Sequence, residues 1–111
     1  MAREKTTLNP FNAVADSNRR QLIELLARGE YTVTEVVQEL DWSQPQVSKH
    51  LSVLKQVNLV LERKEGRKRI YCLNSVALKP IHNWIMQFEQ YWIGNLNSLG
   101  HYLNEIQKNE D

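Results

Sequence analysis

Apolar residues recur every three or four positions in five stretches of the chain, which is the spacing of amphipathic helices. These stretches predict helices over residues 8–15, 16–27, 32–40, 43–55 and 81–106. Residues 59–61 and 70–73 are instead rich in aliphatic, aromatic and β-branched side chains, and Glu65-Gly66 between them can form a turn. The pattern therefore predicts a mainly α-helical fold, with about five helices and a small β-hairpin.

Two neighbouring helices begin with capping signatures. Thr32 is followed three residues later by Glu35, and Ser43 is followed in the same way by Gln46, so both pairs match a capping box. Only a short connection, residues 41–42, separates the two helices. Two short capped helices joined in this way predict a helix-turn-helix, whose second helix enters the DNA major groove.

The second of these helices has one apolar face and one polar face. Val47, Leu51 and Leu54 share the apolar face. The helix start and the polar face carry side chains that can hydrogen-bond to base edges or phosphate. These candidates are Ser43, Gln44, Gln46, Ser48, Lys49 and His50. An ordinary amphipathic surface helix would show the same pattern, and His50 could either contact DNA or pack where the helix meets the hairpin.

Positive charge is concentrated on this helix and on the hairpin. Residues 43–71 carry a net charge of +5, whereas the whole chain is at +1 and the rest of it sums to −4. The hairpin cations are Arg63, Lys64, Arg67, Lys68 and Arg69. A charged turn is often only solvated, but a local excess of this size indicates a phosphate-binding surface. Thr32, Thr34 and Lys55 are further phosphate candidates, and double-stranded DNA is the predicted partner.

The same residues resemble the ArsR/SmtB family of bacterial winged helix-turn-helix repressors. The resemblance is carried by residues 43–55, by Leu59-Val60 and by the hairpin residues 63–71. Residues 15–26 are similar to the family's second helix, although Ser17 stands where proline is common. The resemblance extends over about residues 9–104. It implies a homodimer, joined through its first and last helices, that binds a palindromic operator and releases it in response to an unknown inducer.

The motifs with which many members of that family bind metal ions are missing. The first helix of the helix-turn-helix contains no cysteine, and His82 lacks the aspartate that accompanies histidine in the other common site. His101 and Glu105 could share a helix face, as a weak metal site or as an ordinary surface pair. Cys72 could be a buried strand residue or a redox-active thiol. We therefore predict a family member without the usual metal site and without a cofactor.

The final predicted helix carries a long apolar stripe that a small winged domain would not cover by itself. We expect this stripe to pack against a second copy of the chain, together with apolar residues of the first helix. The predicted dimer contacts are Leu8, Phe11, Ile81, Ile85, Phe88, Trp92, Leu96, Leu99 and Leu103. Packing within its own domain is the alternative, and an aromatic cleft at the dimer seam could also hold an apolar ligand.

Length and composition are consistent with one domain. A chain of 111 residues, 41% of them hydrophobic, predicts a single domain over residues 8–104 between a flexible tail at 1–7 and a polar tail at 105–111. The sequence contains no signal peptide, membrane span or catalytic motif, so a cytoplasmic protein with no membrane partner and no enzymatic activity is expected. It predicts a DNA-binding repressor. The alternatives are a winged-helix protein-interaction module and a switch that responds to a small molecule.

Overall fold

The computed structural model describes residues 8–94, 100, 103–104 and 106 of the chain. The chain divides into two units, Met1–Pro80 and Ile81–Asp111. In chain order the elements are α1 (Pro10–Val14), α2 (Ser17–Leu26), β1 (Tyr31–Thr32), α3 (Val33–Leu40), α4 (Gln44–Gln56), β2 (Val60–Glu65), β3 (Lys68–Leu73), a 3-10 helix (Ser75–Leu78) and α5 (Lys79–Met86). The fold is mostly helical with a small antiparallel sheet, which confirms the predicted fold class.

Polar side chains fix the start of α1 and of α2. The Asn9 side chain accepts a hydrogen bond from the amide of Asn12 (3.0 Å), and Asp16 Oδ1 accepts one from the amide of Arg19 (3.1 Å). Such side-chain bonds satisfy amides that have no partner within the helix. Arg19 Nε also donates to the carbonyl of Ala13 at the end of α1 (2.8 Å). Asp16 and Arg19 therefore join the end of α1 to the start of α2.

A complete capping box starts α3. The amide of Glu35 donates to Thr32 Oγ1 (3.2 Å), and the amide of Thr32 donates to Glu35 Oε1 (2.8 Å), so this prediction is confirmed. At α4, Ser43 Oγ accepts a bond from the amide of Gln46 (3.3 Å), which is one half of the predicted box. Between the helices, Asp41 adopts the left-handed conformation with φ of 56°. Aspartate tolerates this conformation better than most residues, so the turn forms without glycine.

The sheet has the strand order β1-β3-β2 and is antiparallel throughout. In the β2–β3 hairpin, which we call the wing, Glu65 pairs with Lys68 and the connection is Gly66-Arg67. Gly66 has φ of +63°, which glycine adopts at no steric cost. The predicted turn at Glu65-Gly66 is therefore wrong by one residue. The sequence does not predict β1, because a strand of two residues has no recognisable periodicity.

The hydrophobic core of the first unit draws on helices α1–α4 and on the sheet. The largest fully buried side chains are Leu22, Val36, Val47, Leu51, Leu54, Leu59 and Val60. Three of them, Val47, Leu51 and Leu54, come from α4 at the spacing predicted for its apolar face. Because this side of α4 is anchored in the core, its opposite side is left at the surface.

The helix of the second unit is interrupted. α5 ends at Met86, residues 87–88 form a turn, and residues 89–94 are helical again. In a regular helix the amide of Phe88 would donate to the carbonyl of Trp84, four residues back. Here it donates to the carbonyl of Ile85 (3.0 Å), and the carbonyl of Trp84 accepts a hydrogen bond from Gln87 Nε2 instead (2.8 Å). The prediction of one uninterrupted final helix is therefore wrong within the described residues.

Part of the predicted final helix lies outside the described residues, including Leu96, Leu99, His101 and Glu105. Within the part of the chain that the structure describes, no helix combines the length and the apolar character that crossing a membrane requires.

Candidate nucleic-acid interface

The outward side of α4 displays most of the predicted base-contact residues. Ser43, Gln44, Ser48 and Lys49 are exposed, and Gln46 is half-buried. Their accessibility follows from the burial of the other side of the helix in the core. Amide and hydroxyl groups at the start of a helix are suited to base edges, and the amides of the first turn are suited to phosphate.

His50 lies on the buried side of α4. The residue is only 7% exposed, and its ring packs against Trp42 with centroids 5.7 Å apart. Burial lowers the pKa of His50, so its neutral form predominates at neutral pH. Its Nδ1 atom is buried and has no hydrogen-bond partner among the described residues. His50 therefore does not belong to the accessible polar face, and its ring packs beside Trp42.

Arg63 differs from the other cations of the wing because two carboxylates hold it. Its Nη1 donates to Glu30 Oε2, and its Nη2 donates to Glu65 Oε2 (3.0 Å). The hydrogen bond from Arg63 lowers the pKa of Glu30, and its bonds to the two carboxylates raise the pKa of Arg63. One guanidinium is therefore shared between two carboxylates. The cluster is therefore negative overall, and Arg63 offers little positive charge to a phosphate.

Other wing cations are exposed and make no ion pair with any residue that the structure describes. They are Lys64, Arg67 and Lys68. Residues 67–69 also line an open groove of about 550 Å³ whose other wall is residues 32–35 at the start of α3. Thr32 and Thr34, which the sequence suggests as phosphate candidates, thus face the same groove as the wing cations. The wing cations favour an anion in this groove, while the Glu35 carboxylate, which also lines it, already caps the start of α3.

A second groove, of about 270 Å³, lies between α4 and the wing. Its polar lining residues are Ser48, Ser52, Lys55, Glu62, Arg69 and Tyr71. The polar side of α4 and the basic wing, which the sequence predicts as separate elements, therefore form one continuous surface. Ser52, Glu62 and Tyr71 are absent from the sequence-predicted site. The spacing of Ser52 one turn after Ser48 could have identified it, whereas Glu62 and Tyr71 carry no local signal.

Within the described residues, no group of three or more His, Cys, Asp or Glu side chains is placed to hold a metal ion. Cys72 is half-buried on β3, opposite Leu61 of β2. His101 and Glu105 lie outside the described residues, so the metal site considered for them stays a sequence hypothesis.

Several predicted dimer contacts are exposed within their own unit or partly so. Leu8 and Phe11 are exposed in the first unit, and Trp92 and Leu103 in the second. The half-buried ones are Ile81, Ile85 and Phe88. The second unit also exposes Met86 and Ile93, which lie off the predicted stripe and could not be found from its spacing.

A helix-turn-helix followed by a basic hairpin, with the polar side of its second helix adjoining that hairpin, defines a winged helix-turn-helix DNA-binding protein. Residues 16–61 match the family model described as bacterial regulatory protein, arsR family. The chain is also 32% identical over 80 residues to the transcriptional repressor SdpR of Bacillus subtilis (strain 168), an overlap of 72% of this chain and 89% of SdpR. The chain therefore belongs to the ArsR family of bacterial regulatory proteins.

Solved structures agree with this assignment. The crystal structure of a possible transcriptional regulator for arsenical resistance is 34% identical, with a TM-score of 0.66 over 84% of this chain and 94% of that one. The homodimeric winged helix-turn-helix DNA-binding domain of a possible ArsR-family regulator from Mycobacterium bovis is 25% identical, with a TM-score of 0.58 over 70% of this chain and 75% of that one. The protein is a DNA-binding transcriptional regulator and not an enzyme, which confirms both predictions.

Proposed function

We propose that the protein is a homodimeric transcriptional repressor that binds a palindromic operator through α4 and the wing, without control by a metal ion. The observation that carries the proposal is the continuous surface on which the polar side of α4 adjoins the wing across the 270 Å³ groove. This arrangement allows one helix to enter the major groove while the neighbouring cations follow the backbone beside it.

Base recognition is assigned to the start of α4. The amide side chains of Gln44 and Gln46 can each bond bidentately to adenine, and Ser43, Ser48 and Lys49 flank them. The sequence-independent phosphate contacts are assigned to Thr32, Thr34, Lys55, Lys64, Arg67, Lys68 and Arg69. Arg63 is given a supporting role, because its ion pairs connect the wing to Glu30, the residue before β1.

Dimerisation is supported by the exposed apolar side chains of both units and by the homodimeric state of the related domain from Mycobacterium bovis. The proposed contacts include Leu8, Phe11, Trp92 and Leu103, with residues 8–104 forming the DNA-binding and dimerisation region. A two-fold dimer offers two copies of α4 to successive major grooves, and a palindromic operator presents the same sequence to each copy.

Repression without a metal ion is inferred from two features. The relative SdpR is a repressor. The usual cysteine and aspartate–histidine motifs are missing from this sequence, and a stable metal site generally needs three or four well-placed ligands. The exposed aromatic side chains Trp84, Tyr91 and Trp92 favour a second candidate, a repressor whose operator binding responds to an apolar small molecule. A module that binds only protein is disfavoured by the unpaired wing cations, which suit phosphate better.

The test is a binding measurement with the full chain and two duplexes, one selected by the protein from a random-sequence pool and one with the same bases scrambled. We expect tighter binding to the selected duplex, a steep salt dependence and two protomers per site. Gln46→Ala should cost about 1–3 kcal/mol on the selected duplex only. The control Gln56→Ala, at the other end of α4, should change neither affinity. Equal, weak, salt-independent binding to both duplexes would contradict the proposal.

A further inference from the structure

We propose that Glu62 is a positioning residue that holds α4 and the wing together and increases discrimination between DNA sequences by limiting non-specific phosphate binding. The inference rests on the proposed DNA-binding surface. A carboxylate at this position is unexpected on a surface that binds polyanions. Its surroundings explain why it is there.

Glu62 contacts both DNA-binding elements. Its Oε1 lies 3.3 Å from Lys55 Nζ of α4, and its Oε2 lies 3.9 Å from Arg69 Nη1 of β3. The Tyr71 hydroxyl donates a hydrogen bond to Oε2 (2.7 Å). Glu62 and Tyr71 are also paired across the β2–β3 ladder, so the carboxylate is fixed to the wing by backbone and side chain together. One acidic group therefore connects a cation of the helix to a cation of the wing.

The carboxylate stays ionised in this position. The hydrogen bond from the Tyr71 hydroxyl and the nearby Lys55 and Arg69 charges lower the pKa of Glu62, while burial raises the pKa of Tyr71. The Glu62 side chain is only 17% exposed, whereas Glu65, the other carboxylate of β2, is 66% exposed. Glu62 is therefore an enclosed carboxylate that joins α4 to the wing, whereas Glu65 is an exposed carboxylate whose partner, Arg63, lies on the same strand.

Lys55 and Arg69 remain accessible to DNA while Glu62 holds them. Their side chains are 52% and 56% exposed, and Ser48 and Ser52 line the same groove from α4. A DNA strand that passes from the helix to the wing runs over this groove, so its phosphate meets both cations beside a fixed negative charge. The carboxylate repels a phosphate that lies close to it and restrains the two cations. Favourable contacts are then limited to duplexes whose phosphates fit the positions in which Lys55 and Arg69 are held.

The experiment compares Glu62→Gln with Glu65→Gln in the full chain, using the selected and the scrambled duplexes. Both substitutions remove one negative charge from β2, so they change the net charge equally. We expect Glu62→Gln to bind the scrambled duplex about 3- to 10-fold more tightly at low salt and to steepen the salt slope of that binding by about one unit. The ratio of the affinity for the selected duplex to that for the scrambled duplex should fall about 3- to 10-fold as well. Glu65→Gln should leave that ratio unchanged.

Tyr71→Phe provides the second variant, because it removes the hydroxyl bond to Glu62 and leaves the carboxylate in place. We expect it to lower discrimination in the same direction but less. Equal effects of Glu62→Gln and Glu65→Gln would overturn the proposal, since net charge alone would then explain them. A proportional loss of both affinities in Glu62→Gln, with a lowered melting temperature, would also overturn it, since the role would be structural only. Absence of salt-dependent binding by the wild type would instead refute the proposed function itself.

Discussion

Replacing Arg67 with glutamine should flatten the salt dependence of DNA binding, whereas the same replacement at Arg63 should flatten it by less than half as much. Arg67 is exposed, lines the groove at the start of α3 and has no ion pair among the described residues. Arg63 is held by Glu30 and Glu65. The two residues lie on the same wing, and each substitution lowers the net charge by one, so the comparison isolates the effect of the ion pairs.

The magnitude follows from counterion release. Each phosphate neutralised by a cation contributes about 0.9 to the slope of log K against log salt. Loss of the Arg67 contact should therefore reduce the slope by about 0.9, so that a rise from about 50 to 200 mM salt weakens binding about 3.5-fold less than in the wild type. Arg63 already neutralises two carboxylates, so it neutralises a phosphate less fully and releases fewer of the counterions bound to the DNA.

The assay is fluorescence anisotropy with a labelled scrambled duplex over a salt series, because phosphate contacts do not depend on sequence. Equal flattening by Arg67→Gln and Arg63→Gln would refute the argument that Glu30 and Glu65 occupy Arg63. No flattening by either variant would show that neither arginine contacts the DNA backbone.

Three further predictions concern folding, all measured by urea unfolding. Leu54→Ala should cost about 2–5 kcal/mol because Leu54 is fully buried, whereas Leu61→Ala, at a side chain 47% exposed, should cost far less; similar losses would contradict the described core. Thr32→Ala should cost about 1 kcal/mol by removing the α3 cap, and Thr34→Ala, in the same first turn without a capping bond, serves as its control. His50 has a lowered pKa in the folded state, so protonation favours unfolding, and stability should fall as the pH drops below about 6.5. His50→Gln should lose less stability between about pH 7.5 and 5.5; a parallel loss in both proteins would assign the effect to other groups.

The sequence predicted the helices of the first unit well where each start depends on nearby residues. The Thr32–Glu35 box and the Asp16 cap are interactions within three residues, and Val47, Leu51 and Leu54 are buried at the predicted spacing. The prediction failed where helical periodicity continues through a local change in hydrogen bonding. Apolar spacing runs through residues 87–88, yet the helix is interrupted there because the Phe88 amide bonds three residues back instead of four.

The sequence by itself determined the helix-turn-helix, the wing and the concentration of positive charge on them, because periodicity, capping and local charge are properties of short segments. Only the tertiary structure decided which of these charges remain available. Arg63 is paired with Glu30, 33 positions away, and Glu62 joins Lys55 of α4 to Arg69 of the wing. His50 is turned inward against Trp42 although it lies on a helix with an exposed polar face. Such contacts form between segments that are far apart in the sequence and come together only in the folded chain, so a local pattern of residues cannot predict them.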